Sequence, residues 1–173
     1  MPLNIVLVEP EIPQNTGNIA RTCAATGAEL HLIEPLGFSL SDKYLKRAGL
    51  DYWHMMTMEI HPSWEDFREK YPNARLRLAT TKAPRDYCAV EYADEDFLVF
   101  GRETRGLDED LLANNYEKCV RIPMKPDARS LNLSKSVAIV LYEALRQLGF
   151  PKMSGKGHLH HTEPVGEEWR DYV

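Results

Sequence analysis

Short apolar stretches of strand length alternate with helix-period stretches along most of the chain, and this alternation limits the fold more than any other feature. A strand that is apolar on nearly every position is buried on both faces. Such strands belong to parallel sheets whose crossovers are helices. Strands are predicted over 3–8, 30–34, 54–60, 76–80, 97–101 and 120–122. The third has the weakest signal, because His54 and the neighbouring methionines blur its alternation. Helices are predicted over 18–26, 42–48, 64–70, 108–112 and 133–148. In the first, Ile19, Ala20, Cys23 and Ala24 share one face and Gly27 stops the helix. Ser41 and Ser63 stand where N-caps are needed, and Gly49 follows the second helix. The last helix aligns Leu133, Val137, Leu141, Ala144 and Leu148 in one stripe suited to a core or an interface. The expected architecture is α/β: a parallel sheet core flanked by helices. One domain is expected over 1–153, with a tail over 154–173 where the pattern dissolves.

At 173 residues the chain can bury one sizeable core, and no apolar run approaches the roughly 18 residues of a membrane span. The N-terminal segment lacks the basic start of a secretory signal. Cys23, Cys88 and Cys119 are too widely spaced for a disulfide framework or a zinc site. A cytoplasmic setting is expected, with no membrane partner and no metal. His158, His160 and His161 read as part of a surface tail.

The net charge of −5 hides an uneven distribution. Residues 86–118 hold ten acidic and three basic side chains, whereas 125–158 hold six basic and two acidic ones. A polyanion on one face is therefore compatible with the composition, as is an ordinary solvated helix.

Three polar loops follow predicted strands, at the sheet edge where open α/β folds place ligands. The first, from Glu9 to Arg21, offers Asn15 and Asn18 near a helix start and Arg21 about one turn in. It contains neither G-x-G-x-x-G nor the G-K-[ST] of a phosphate loop. Arg21 is either an exposed helical arginine or, with the helix N–H groups, a phosphate ligand. The second loop is bracketed by Gly101 and Gly106 around Glu103. A carboxylate there repels a pyrophosphate and suits a cationic or amino-bearing ligand, or simply a paired surface turn. The third, from Ile122 to Ser134, is stiffened by Pro123 and Pro126 and presents Arg129, Ser130 and Asn132 at a helix entrance. It reads either as a ligand loop or as a stiff lead into a helix, with Ser130 as cap and Asn132 as turn residue.

Taken in register, these loops resemble the SPOUT superfamily of S-adenosylmethionine-dependent RNA methyltransferases. The likeness lies in Asn15-x-Gly-Asn-x-x-Arg21, Gly101-x-Glu-x-x-Gly-Leu107, and Ile122-Pro-Met with Ser130-Leu-Asn-Leu-Ser134. Glu9-Pro-Glu-Ile-Pro13, Ala48-Gly-Leu-Asp-Tyr52, Thr80-Thr-Lys82 and Tyr142-Glu-Ala144 add to it, and it spans about Leu3 to Pro151. The most similar branch is the single-domain tRNA (cytidine/uridine) 2′-O-methyltransferase family acting on the wobble nucleotide in the anticodon loop. The resemblance implies a C-terminal trefoil knot, which connection rules alone would reject, and a homodimer with its active site at the subunit interface. It implies that Ala79, Gly101, Ile122, Met124, Ser130 and Leu131 bind S-adenosylmethionine, and that Arg21 activates the ribose hydroxyl. Asn15, Glu103, Ser130 and Asn132 would complete the polar shell. Arg129 and Lys152 are candidates for RNA phosphates. Two rival readings remain: a nucleotide-binding α/β enzyme, against which the missing glycine fingerprint and the acidic Glu103 speak, and a non-catalytic RNA-binding module, which lacks a row of stacking aromatics.

Overall fold

In the computed structural model, which describes residues 2–41, 43 and 55–162, the expected alternation becomes one six-stranded, wholly parallel sheet among the described residues. The elements are β1 (Asn4–Val8), α1 (Pro13–Thr26), β2 (Glu29–Ile33), β3 (Met58–His61), α2 (Trp64–Lys70), β4 (Leu76–Ala79), β5 (Phe97–Phe100), α3 (Glu109–Ala113), β6 (Cys119–Val120) and α4 (Leu133–Gln147). The sheet order is β3-β2-β1-β5-β4-β6. The chain works outward from β1 in one direction, then fills the other side, so the connections reverse beside β1. Apart from Lys43, the helix expected over 42–48 lies outside the described residues, as do its following Gly49, the matched stretch 48–52, His54 and the residues beyond 162.

Both sheet faces are covered, which explains the near-continuous apolar strands. Ile5 and Leu7 of β1 and Leu30 and Leu32 of β2 pack with Ile19, Ala20 and Cys23 of α1 and Val137, Leu141 and Ala144 of α4. Burial pushes the Cys23 thiol up to about 12, so it is a packing group rather than a nucleophile. On the other face Val6, Val8 and Ile33 meet Phe67 of α2 and Leu112 of α3. Ser63 caps α2 as expected, accepting from Asp66 N–H at 3.1 Å.

Three boundaries differ from expectation by two residues or more. The strand expected over 54–60 is β3, which begins only at Met58 and runs to His61, residues 55–57 lying outside it. Helix α1 begins at Pro13 rather than Asn18, with proline in the first turn where a missing N–H costs nothing. Arg21 therefore lies about two turns into the helix rather than one. The last strand ends at Val120, so Ile122 already belongs to the connection that follows.

Candidate active site

All six strands run the same way, so the loops after β1, β4, β5 and β6 emerge at one edge, beside the reversal in strand order. They enclose a cavity of about 540 Å³. Its lining includes Ile12 and Asn15 from the first loop and helix, Ala79 to Lys82 after β4, Gly101 to Leu107 after β5, and Ile122, Met124 and Arg129 to Leu133 after β6. All six residues expected to bind the cofactor line this cavity, as do Asn15, Glu103, Asn132 and Arg129. Arg21 and Lys152 do not: both are exposed, Arg21 on α1 and Lys152 in a left-handed conformation beyond α4. Sequence reading gave no role to Thr80, Thr81, Lys82 and Thr104, which line the cavity as well. The Thr80-Thr-Lys82 match was the one signal that could have found three of them.

The floor of the cavity requires glycine at 101. A Cβ there would fall 2.1 Å from Gly106 C and 2.3 Å from Leu107 N, inside the turn closed by the Gly106 N–H to Arg102 C=O bond of 2.8 Å. Arg102 secures this turn from outside through Glu9 at 3.1 Å and Asp108 at 2.8 Å.

Glu103 does not present a free carboxylate to a cationic ligand, as one reading of the sequence had it. It accepts from the backbone N–H of Glu11 at 2.8 Å, of Ile12 at 3.1 Å, and from Asn15 Nδ2 at 3.2 Å. Helix α1 has no side-chain cap of its own at Ile12. Glu103 supplies the anion that the helix start favours, across more than ninety residues of sequence. Asn15 Oδ1 in turn accepts from Asn132 Nδ2 at 3.0 Å, which ties the first loop to the third. Asn132, not Ser130, caps α4: its Oδ1 accepts from Ser134 N–H at 2.9 Å and Lys135 N–H at 3.4 Å. Ser130 is thereby left exposed on the cavity wall. One chain of hydrogen bonds, Glu103–Asn15–Asn132, joins all three loops.

A second polar cluster lies away from this cavity. His31 on β2 and His61 on β3 are 2% and 3% exposed and face each other with Nδ1 and Nε2 3.1 Å apart. Asn4 Nδ2 donates to Glu95 C=O, so Asn4 Oδ1 faces His31 Nε2, at 3.2 Å, and fixes the proton there. His31 Nδ1 then accepts from His61. The ring centres are 5.3 Å apart, so the two nitrogens point along the line joining the rings, as in an N–H···N bond. Glu59 completes a group whose ligand atoms lie within 4.8 Å of one another. Burial, then the neighbouring His61, pull His31 down to about 4, and burial also lowers His61, so both rings are neutral at neutral pH. Burial pushes Glu59 up, but hydrogen bonds from Lys70 and Tyr71 outweigh it and hold the carboxyl below its usual range. None of these residues lines the cavity. A second cavity is walled by Glu9, Glu34, Glu65, Asp108, Glu109 and Asp110, which repel a polyanion.

A glycine-floored cavity at the reversal in strand order, closed by three hydrogen-bonded loops, defines a small-ligand site of the α/β class. The chain belongs to the SpoU rRNA methylase family, which it matches over residues 2–142. It is 54% identical over 150 residues to the tRNA (cytidine(34)-2′-O)-methyltransferase of Escherichia coli K12, covering 86% of this chain and 96% of that one. A solved structure from work on 2-OH methylation of C/U34 on tRNA superposes with a TM-score of 0.81 at 46% identity, covering 85% of this chain and 96% of the other. An AdoMet-bound rRNA methyltransferase from Sinorhizobium meliloti gives a TM-score of 0.75 at 26% identity, over 85% of this chain and 57% of that one. Family membership disposes of the dinucleotide enzyme and the non-catalytic module as readings. Among the described residues no helix is long and apolar enough to cross a membrane.

Proposed function

We propose that this chain transfers the methyl group of S-adenosylmethionine to the ribose 2′-hydroxyl of the wobble nucleotide, cytidine or modified uridine, in the anticodon loop of tRNA. The observation that carries the reading is the single cavity shared by Ala79, Gly101, Ile122 and Ser130. Its size and mixed lining fit a sulfonium nucleoside: backbone groups and plain side chains for the adenine, hydroxyls and amides for the polar end. Ala79, Gly101, Ile122, Met124, Ser130 and Leu131 would hold the cofactor. When bound, S-adenosylmethionine supplies a methyl group activated for in-line displacement.

The protein's own part is orientation and charge. Asn15, Glu103 and Asn132 are hydrogen-bonded to one another or to backbone, so they fix the loops rather than move protons. Arg21 is assigned to the ribose hydroxyl. A guanidinium stays protonated and is a poor general base, so its role is to bind the adjacent phosphate and favour the developing alkoxide. It is exposed and outside its own chain's cavity lining, which suits a homodimer whose active site forms where two copies meet. A trefoil knot in the C-terminal part of the 1–153 domain, a cytoplasmic setting, and RNA phosphate contacts from Arg129 and Lys152 complete the reading. An unstacked anticodon nucleotide exposes the 2′-hydroxyl that a duplex would shield.

Incubation of tRNA with methyl-labelled cofactor, followed by nucleoside analysis, tests this directly. Label is expected as a 2′-O-methyl nucleoside at the wobble position. Label on a base, at another position, or nowhere overturns it.

A further inference from the structure

Glu11 lies outside the cavity, yet its carboxylate holds a turn of the cavity wall. Its Oε2 accepts from the Thr104 backbone N–H at 3.1 Å and its Oε1 from the Thr104 hydroxyl at 3.0 Å. In the opposite direction Glu103 accepts from the Glu11 backbone N–H at 2.8 Å. Two adjacent residues of one loop and one residue of the other thus exchange carboxylate-to-amide bonds, as a reciprocal clamp. Thr104 belongs to the cavity wall and Glu11 does not, so whatever Glu11 does there passes through Thr104.

The clamp is anchored on its far side. A Cβ at Gly37 would fall 2.7 Å from Glu11 Cα, and Gly37 N–H donates to Pro10 C=O at 2.9 Å. The loop after β2 therefore presses directly on the backbone of Glu11, with no side chain between. Within the turn itself, Arg102 and Gly106 close the two ends as an antiparallel bridge, with the Gly106 N–H to Arg102 C=O bond at 2.8 Å. Glu11 binds the stretch that this closure leaves between its ends.

We propose that Glu11 is a positioning residue that holds the 101–107 turn in the shape the cofactor cavity needs, acting through Thr104. The inference rests on the reading of this cavity as an S-adenosylmethionine site. It adds a residue outside the cavity lining.

Wild type, Glu11→Ala, Glu11→Gln and Thr104→Val are compared by calorimetry with S-adenosylhomocysteine, by KM and kcat, and by amide exchange of Thr104 in the cofactor-free protein. Glu11→Ala should weaken S-adenosylhomocysteine binding and raise the cofactor KM about ten- to thirtyfold, while tRNA KM stays within about twofold. Its Thr104 amide should exchange faster without any ligand. Glu11→Gln, which keeps one acceptor oxygen, should recover part of the loss, and Thr104→Val, which keeps the amide, should lose only a few-fold. Adding Thr104→Val to Glu11→Ala should cost less than it does alone. Glu11→Ala with wild-type affinity and unchanged Thr104 exchange overturns the proposal. So does a variant whose affinity falls only in proportion to its folded fraction. If wild type itself fails to bind S-adenosylhomocysteine, the cofactor reading falls and this inference with it; a binding-competent wild type beside an indifferent Glu11→Ala sinks the inference alone. Should Glu11→Ala not fold, Glu11→Gln and Thr104→Val decide by the same readouts.

Discussion

The cavity edge and the His31–His61 pair are both polar clusters on the same sheet, built from asparagine and glutamate beside other polar groups. They differ in what completes them. Around the histidines, Phe67, Tyr71 and Phe97 rings pack at 5.2–6.0 Å and protein partners account for the facing nitrogens. At the edge, Glu103, Asn15 and Asn132 satisfy one another and the helix starts, while Ser130, Leu131 and Arg129 stay exposed on the wall. A polar cluster closed by protein on every side supports the fold. One whose inner bonds fix loops and whose outer groups remain open is prepared for a ligand.

The largest effect separating the two regions is expected at Gly101. Gly101→Val forces atoms into Gly106 and Leu107 backbone, and should abolish S-adenosylhomocysteine binding by calorimetry. Unchanged affinity would break the assignment of this edge. Next comes Arg21→Lys, which should lower turnover by about a hundredfold while cofactor affinity holds, since a point charge replaces a planar fork. Near-normal turnover contradicts its role.

The histidine side answers to pH instead. His31 titrates near 4 when folded, well below the ordinary histidine value of 6.5. The unfolded chain therefore takes up the proton first as pH falls. The contribution of His31 is complete above about pH 6.5 and is lost as pH drops from there toward 4, by at most about 1.4 kcal/mol per pH unit. Urea midpoints should follow that slope, and His31→Gln, though less stable at pH 8, should flatten it. An unflattened slope would mean that another group carries the acid sensitivity. Smaller again, Asn132→Ala should cost about 1 kcal/mol through the lost α4 cap, and several-fold in cofactor affinity through the lost Asn15 bond. The smallest effect is expected for Arg129→Ala or Lys152→Ala: cofactor binding intact, and the salt slope of tRNA binding reduced by about one each.

Much of this was legible in the residues. Apolar runs marked the strands, and the stripe from Val137 to Ala144 marked the buried face of α4. The start of α1 was not legible, for a physical reason: its anion comes from Glu103, far along the chain, so no local capping signal precedes Pro13. For the same reason Glu103 was open to misreading as a ligand for cations. His31 and His61, thirty residues apart, form a pair only because β2 and β3 are neighbours in a parallel register, and strand order is a property of packing rather than of local pattern. The three loops could be recognised one by one, but their meeting at one cavity depends on that order.

The most direct test of the central claim is an NMR titration of the isotope-labelled protein with S-adenosylhomocysteine, read residue by residue. Amide shifts should concentrate at Ala79, Gly101, Glu103, Ile122 and Ser130 to Asn132, with His31, Glu59 and His61 unmoved. Shifts centred on the histidine pair, or a saturating ligand that leaves Gly101 and Ile122 untouched, would contradict the account.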